Sequence, residues 1–312
     1  MNPGAAQRIL VVGAGATGGY FGGRLAEAGR DVTFLVRARR AEQLRRDGLV
    51  IASPHGDLKL TPQLVTGAEL DASYDLVLFT VKAYGLDQAI ADITPAIGPE
   101  TMILPMLNGM RHLDMLTARF GEQRVLGGVC LVATALGEDG TIRQLNDLQH
   151  ITYGDRHQPD SARMHAVDEA VRGAGFPTRL SRDVVGDMWR KWVFLASIGA
   201  ITCLMRGTIG QVVSAPGGRA FAQGVVAECA AVSAAAGHPL PAAELDRTRS
   251  VATDATSPIN SSMSRDLGQG YPVEADHIIG DLVDRAHALG VEVPLLELVY
   301  THLAVYQDRL AR

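Results

Sequence analysis

The sequence predicts an α/β protein in two parts, an N-terminal doubly wound sheet followed by an all-α C-terminal domain. Up to about residue 180, short β-rich runs alternate with helical segments, the pattern of a parallel sheet with helices on both faces. Beyond that point no run suggests a strand, and alanine-rich apolar periodicity dominates, as in residues 219–236 and 277–289. We therefore expect one domain at residues 1–180 and a second, helical domain at residues 181–312.

The first domain opens on a strand, a helix and a second strand. Residues 8–12 form a continuous apolar run, which suits a strand that is buried on both faces of a parallel sheet. A helix at about residues 18–27 and a strand at 31–36 complete one βαβ unit. Further strands are predicted as a weak edge strand at 58–65 interrupted by Pro62, buried strands at 76–80 and 101–104, and a long strand at 125–134 that pairs with 149–153.

Composition and charge exclude several classes of function. The 312 residues are 47% apolar with a formal net charge of −5, and no basic stripe indicates a nucleic-acid partner. The three cysteines form no C-x-x-C pair and indicate buried free thiols, and the nine histidines show no metal-ligand spacing. The longest apolar run, residues 192–205, is shorter than the roughly 20 residues of a membrane-spanning helix. Because residues 1–7 lack a signal-peptide pattern, we expect a cytoplasmic protein.

A glycine-rich turn follows the first strand and opens the first helix. Its sequence is Gly13-Ala14-Gly15-Ala16-Thr17-Gly18, a G-x-G-x-x-G pattern in the context that dinucleotide-binding Rossmann domains require. The first glycine permits a tight turn, the second lets the backbone approach a pyrophosphate, and the third allows close packing of helix and strand. The alternative is a structural turn without a ligand, and the strand–turn–helix context favours the dinucleotide.

The residue that ends the second strand indicates which dinucleotide binds. NAD enzymes place an acidic residue there to bind the ribose 2′-hydroxyl, whereas this chain has Arg37, followed by Arg39 and Arg40. A guanidinium at this position would bind a 2′-phosphate, often through two parallel hydrogen bonds. A solvated basic loop is the alternative. We therefore predict NADP(H) as the cofactor.

Two polar residues follow later strands of the predicted sheet. Lys82 comes after the strand at 76–80, and Asn108 comes after the strand at 101–104. Ligands of open α/β sheets bind beyond the carboxyl ends of the strands, so both side chains are candidates for cofactor or substrate contacts. By themselves, they also fit an ordinary surface lysine and a turn asparagine.

Taken together, the motifs of this chain resemble those of the ketopantoate reductase (2-dehydropantoate 2-reductase) family. No single motif is specific, but the ordered set runs through nearly the whole chain at similar spacing. The motifs are Gly13-x-Gly15-x-x-Gly18, Arg37, Val81-Lys82-Ala83, Asn108-Gly109, Trp189-Arg190-Lys191, Ser261-Ser262-Met263 and Glu274.

The resemblance implies an NADPH-dependent reduction of 2-dehydropantoate to pantoate, as in pantothenate and coenzyme A biosynthesis. It makes Lys191 the proton donor to the carbonyl oxygen, a role that meets the developing negative charge. It makes Glu274 a catalytic acidic residue near the cofactor, Ser262 a substrate contact, and Asn108 a contact to both cofactor and substrate. Without the resemblance, Lys191 reads as an interfacial lysine, and Ser262 and Glu274 read as helix-start residues.

The resemblance fails at three positions that contact the substrate in the family. The family commonly carries asparagines four and eight residues after the lysine and a third further on, where this chain has Leu195, Gly199 and Ile209. The resemblance implies that those asparagines hydrogen-bond the substrate, and an apolar replacement discriminates less strongly. We therefore consider a less polar or bulkier 2-keto acid as an alternative substrate, with Arg206 or Thr208 holding its carboxylate.

Two further interpretations stay open at this point. One is another two-domain dehydrogenase with the same fold, of the β-hydroxyacid or opine type. The other is an NADP(H)-binding sensor without turnover, which would need neither Lys191 nor Glu274. The alanine-rich helices could pack within the domain or across a homodimer.

Overall fold

The computed structural model describes residues 7–311. The chain divides into two compact units, Met1–Leu107 with His112–Val185, and Asn108–Arg111 with Gly186–Arg312. The boundary near Val185 lies five residues after the expected position, and a short segment that follows the first sheet belongs to the second unit. The first six residues of the predicted first domain and the last residue of the second lie outside the described residues.

The first unit contains two β-sheets of five strands each. The strands of the described residues are β1 (Arg8–Val12), β2 (Asp31–Leu35), β3 (Leu49–Ala52), β4 (Leu58–Leu60), β5 (Gln63–Val65), β6 (Tyr74–Phe79), β7 (Ile97–Pro105), β8 (Gly127–Leu136), β9 (Ile142–Gly154) and β10 (Thr178–Leu180). The first sheet is wholly parallel, in the order β5-β2-β1-β6-β7. Residues Ile9 to Val12 of β1 are at most 2% exposed, as the apolar run predicts.

The second sheet was not foreseen. It has the order β10-β9-β3-β4, and β8 also pairs with β9. The predicted pairing of β8 with β9 is confirmed and is antiparallel, with Val132 opposite Gln149. The single edge strand predicted at 58–65 is wrong: Pro62 separates β4, which joins the second sheet, from β5, which joins the first. Proline lacks the N–H that a continuous strand needs there.

Helices cover the sheets of the first unit and make up the second. They are α1 (Ala16–Glu27), α2 (Ala38–Asp47), α3 (Leu86–Ile93), α4 (Arg111–Phe120), α5 (Ala162–Val171), α6 (Val184–Met205), α7 (Ile209–Ser214), α8 (Gly218–Ala235), α9 (Ala242–Ala252), α10 (Ser262–Gly268), α11 (Asp281–Leu289) and α12 (Pro294–Leu310). A π-helical turn, Asp276–Gly280, leads directly into α11. Among the described residues, none after Leu180 is in a strand, which confirms the all-α prediction.

The apolar run at 192–205 forms most of α6, the longest helix described, and Trp192 is 1% exposed. Within residues 7–311, no helix has the length and hydropathy that a membrane span requires. The three cysteines, Cys130, Cys203 and Cys229, are free and buried, as predicted.

Candidate active site

The glycine turn between β1 and α1 has the geometry of a phosphate-binding loop. Gly13 has a φ of +94°, a backbone conformation that favours glycine. A Cβ at Gly18 would lie 2.1 Å from both Gly13 O and Thr80 Oγ1, so helix and strand pack too closely for any side chain. A Cβ at Gly15, by contrast, would meet no heavy atom within 4 Å. The three glycines therefore serve three purposes, and the open side of the turn is at Gly15.

The carbonyl oxygens of the turn already have partners within the first unit. The Thr80 hydroxyl donates to Val12 O at 2.7 Å and lies 3.2 Å from Gly13 O. Arg40 Nε donates to Ala14 O at 3.1 Å. Helix α1 has no acidic residue in its first turn and no side-chain cap at Gly15. Its first amides, which have no helical carbonyl to bond, are therefore suited to an anion such as a pyrophosphate.

Arg37 and Lys82 lie at the same edge of the parallel sheet, after β2 and β6, the two neighbours of β1. Arg37 is exposed and precedes α2 as its N-cap residue. One of its terminal nitrogens, Nη2, is 3.7 Å from the position of a Cβ at Gly85, in the short turn that Lys82 begins. Lys82 is also exposed. The two cations thus follow the strands that flank β1, at the same sheet edge as the glycine turn.

Arg40 differs from its basic neighbours. In the sequence it follows Arg37 and Arg39 in one basic cluster, but Arg39 is exposed and Arg40 is partly buried. Burial lowers the pKa of the Arg40 guanidinium from its usual value. Its three donor groups bind Ala14 O, Gln43 Oε1 at 2.7 Å and Gly140 O at 3.3 Å. The Arg40 guanidinium is therefore bonded within the protein, to two backbone carbonyls and one side-chain amide.

In the second unit, α6 carries Lys191 in its second turn, and the side chain is partly exposed. The next residue, Trp192, donates from Nε1 to Ile278 O at 2.9 Å, in the π-helical turn. The Arg285 guanidinium lies over the Trp192 ring at 5.6 Å from its centroid. The helix segment that bears the candidate proton donor is thus fixed against the π-helical turn.

The same π-helical turn connects two other candidate residues. Glu274 lies two residues before it and is partly buried, and its carbonyl accepts a hydrogen bond from Ile278 N at 3.0 Å. Gly109, which follows Asn108, has a φ of +75°, and a Cβ there would lie 2.2 Å from His277 O. Only glycine allows this approach. The segments bearing Lys191, Glu274 and Asn108 therefore all adjoin one turn, and π-helical turns are frequent at functional sites.

The far side of the π-helical turn is held by α12. Tyr300 donates its hydroxyl to Asp276 Oδ1 at 2.8 Å, and Gln307 Nε2 lies 3.4 Å from Asp276 Oδ2. Burial, followed by the hydrogen bond to Asp276, raises the pKa of Tyr300 to about 12, so the phenol stays a donor at neutral pH. The turn is thereby anchored on two sides, by Trp192 and by Tyr300.

Ser262 is the first residue of α10 and is exposed. The helix cap is the preceding residue, Ser261, whose hydroxyl accepts from Ser264 N at 2.9 Å and bonds Thr202 Oγ1 at 2.9 Å. Among residues 7–311, the Ser262 hydroxyl has no hydrogen-bond partner. The capping role considered for Ser262 therefore belongs to Ser261, and Ser262 can meet a ligand.

Three positions of this chain, 195, 199 and 209, correspond to asparagines of the family, and their side chains differ in exposure. Leu195 is partly exposed on the same face of α6 as Lys191. Gly199 is buried, and a Cβ there would lie 3.0 Å from Met263 Cε. Ile209 is 0% exposed and begins α7. Of the three positions, only Leu195 has a partly exposed side chain.

Neither residue suggested as a carboxylate ligand fits that role. Thr208 caps α7, and its hydroxyl accepts from Gln211 N while Gln211 Oε1 accepts from Thr208 N. Arg206 follows the end of α6, and with a rise of about 1.5 Å per residue it lies about 20 Å along the axis from Lys191. The keto and carboxyl groups of a 2-keto acid are on adjacent carbons, so one molecule cannot reach both residues.

Two models of one protein family match this chain. A family model described as "Ketopantoate reductase PanE/ApbA" matches residues 9–158, and the model of its C-terminal part matches residues 183–307. This chain belongs to the ketopantoate reductase family. The resemblance inferred from the ordered motifs is confirmed.

Individual relatives agree with the family assignment. The uncharacterized oxidoreductase YkpB of Bacillus subtilis (strain 168) is 38% identical and aligns with 96% of this chain and 99% of its own. The 2-dehydropantoate 2-reductase of Mesorhizobium japonicum is 26% identical over 94% and 95% of the two chains. The crystal structure of a PanE/ApbA family ketopantoate reductase from Ralstonia eutropha JMP134 superposes with a TM-score of 0.88 at 26% identity, covering 98% of this chain and all of the other.

Proposed function

We propose that this ketopantoate reductase family member is an NADPH-dependent 2-keto acid reductase that converts 2-dehydropantoate to pantoate. The observation that carries the proposal is that the segments bearing Lys191, Glu274 and Asn108 all adjoin one π-helical turn in the second unit. A sensor would need a dinucleotide turn but would need neither Lys191 nor Glu274. This arrangement therefore supports turnover.

The residues of the first unit fit a nicotinamide dinucleotide. The open face at Gly15 and the uncapped start of α1 would hold the pyrophosphate, and Lys82 would add a cation at the same edge. The side chain of the exposed Arg37 makes no hydrogen bond or ion pair with another described residue, which supports a role in binding the 2′-phosphate of NADPH. Wild-type Kd values for NADPH and NADH test this preference, and equal values would contradict it.

The residues of the second unit fit a reduction at a carbonyl. When bound, the reduced nicotinamide supplies a hydride to the keto carbon. Lys191 donates a proton to the carbonyl oxygen as negative charge develops there. Asn108 and Ser262 hydrogen-bond the substrate, and the Glu274 carboxylate provides a negative charge near the ammonium group.

A second candidate substrate, a 2-keto acid with an apolar side chain, is favoured by one observation. Leu195 is partly exposed one helical turn after Lys191, and Met263 lies over Gly199 one turn further. Beyond Lys191, the partly exposed Leu195 on this face of α6 offers methyl groups to a ligand and no hydrogen bond. A substrate hydroxyl at that place would be left without a partner on the helix.

Two substrates that differ by one hydroxyl decide between the candidates. They are 2-dehydropantoate and 3,3-dimethyl-2-oxobutanoate, which has the same carbon skeleton. We expect kcat/KM to favour 2-dehydropantoate, and we expect Leu195→Asn to increase that preference by about tenfold because it adds a hydrogen-bonding amide. A wild-type preference for the analogue would establish the apolar substrate class and contradict 2-dehydropantoate.

A further inference from the structure

The orientation of one peptide group in the glycine turn depends on Arg40. Arg40 Nε donates to Ala14 O at 3.1 Å, and Ala14 is 3% exposed. In a planar trans peptide the C=O and the next N–H point in opposite directions. With the carbonyl of Ala14 directed at Arg40, the N–H of Gly15 points to the other side of the peptide.

The side of the turn near Gly15 is open. A Cβ on Gly15 would meet no heavy atom within 4 Å, whereas one on Gly18 would lie 2.1 Å from protein oxygen atoms. An amide at such a place, at the start of a helix, is a favourable donor to phosphate oxygens. If the carbonyl of Ala14 lost its partner, this peptide would be less firmly held, and the Gly15 amide with it.

Arg40 is itself held rigidly by two other segments. Its Nη1 donates to Gln43 Oε1 at 2.7 Å within α2, and its Nη2 donates to Gly140 O at 3.3 Å in the loop between β8 and β9. Gly140 has a φ of +82°, and a Cβ there would lie 2.4 Å from Gln43 Nε2. The guanidinium thus occupies a fixed position that links the turn to the second sheet.

We propose that Arg40 is a positioning residue for the dinucleotide, which acts by holding the Ala14–Gly15 peptide with its N–H toward the pyrophosphate. The proposal rests on the proposed binding of a nicotinamide dinucleotide at this turn. Since NADPH and NADH share the pyrophosphate, the effect of Arg40 is the same for both cofactors. Arg37, proposed to bind the 2′-phosphate, acts on NADPH alone.

Three matched variants test this assignment by cofactor binding in the absence of substrate. Arg37→Met, Arg39→Met and Arg40→Met each remove one positive charge from the same segment, residues 37–40. Kd values for NADPH and for NADH are measured by calorimetry, and the melting temperature is measured for each variant. We expect Arg40→Met to raise both Kd values by the same factor, about tenfold. Arg37→Met should weaken NADPH only, and Arg39→Met should leave both Kd values within about twofold of the wild type.

Two further variants separate orientation from charge and from folding. Arg40→Lys keeps the charge but not the three-way hydrogen bonding, and we expect it to weaken both cofactors as well. Thr80→Val removes the hydroxyl that donates to Val12 O on the other side of the turn, and it should also weaken both. The assignment would be overturned if Arg40→Met raised the Kd for NADPH alone. It would also be overturned if a folded Arg40→Met variant kept both Kd values unchanged. Failure of the wild type to bind either dinucleotide would instead overturn the proposed function.

Discussion

Replacing Lys191 with alanine is expected to lower kcat for 2-keto acid reduction by about 10²–10⁴-fold, the usual contribution of a positioned general acid. The variant should still bind NADPH, because the candidate cofactor residues Gly15, Arg37 and Lys82 lie in the first unit and Lys191 lies in the second. The loss would therefore occur in the chemical step. Steady-state NADPH oxidation and a separate NADPH titration measure the two quantities.

A structural role for Lys191 would give a different result from a chemical one. Added methylamine should restore part of the rate in Lys191→Ala, since a small ammonium ion can supply the missing proton in the space left by the side chain. Lost packing around α6 would not be restored in this way. Activity of Lys191→Ala within about threefold of the wild type would remove Lys191 from the mechanism.

Replacing Gly15 with alanine is expected to abolish cofactor binding while leaving the fold intact. The new Cβ would meet no heavy atom of the protein within 4 Å, and Gly15 has a φ of −86° that alanine adopts readily. The free energy of unfolding should therefore stay within about 0.5 kcal/mol of the wild type. The methyl group would occupy the space through which a pyrophosphate approaches, and we expect the Kd for NADPH to rise about a hundredfold, about 2.8 kcal/mol.

Gly18→Ala is the matched control for this prediction. Its Cβ would lie 2.1 Å from Gly13 O, so we expect this variant to lose about 1–3 kcal/mol of stability through overpacking. Chemical denaturation measures both unfolding free energies. Unchanged NADPH affinity in a folded Gly15→Ala variant would show that no ligand approaches the turn on its open side.

The fold could be predicted from sequence where the pattern is local. The apolar run of β1 and the glycine spacing after it required only neighbouring residues, and so did the change to helical periodicity near residue 180. The second sheet could not be predicted in the same way, because a β-rich run does not indicate which sheet it joins. β3, with only four residues, carried too little pattern to be recognised.

The residues of the candidate site also divide into those that local sequence order predicts and those whose partners are distant in sequence. Gly13–Gly18, Arg37 and Lys82 were predicted from their order after successive strands, which places them at one edge of a parallel sheet. Arg40 could not be distinguished from Arg39 by sequence, because its partners are Ala14, 26 residues away, and Gly140, 100 residues away. The π-helical turn could not be predicted from the sequence either, because a single wider turn barely alters the helical periodicity of apolar residues. Its partner Trp192 was recognised only as the first residue of the apolar run at 192–205.

The transfer of isotope from cofactor to product tests the central claim most directly. NADPH with deuterium at C4 of the nicotinamide, prepared as each stereoisomer, is incubated with the protein and 2-dehydropantoate, and the product is examined by mass spectrometry. We predict pantoate with one deuterium on C2 from one stereoisomer and none from the other. If the protein binds NADPH but no 2-keto acid yields a deuterated hydroxy acid, the chain is a dinucleotide-binding sensor and the reductase proposal is wrong.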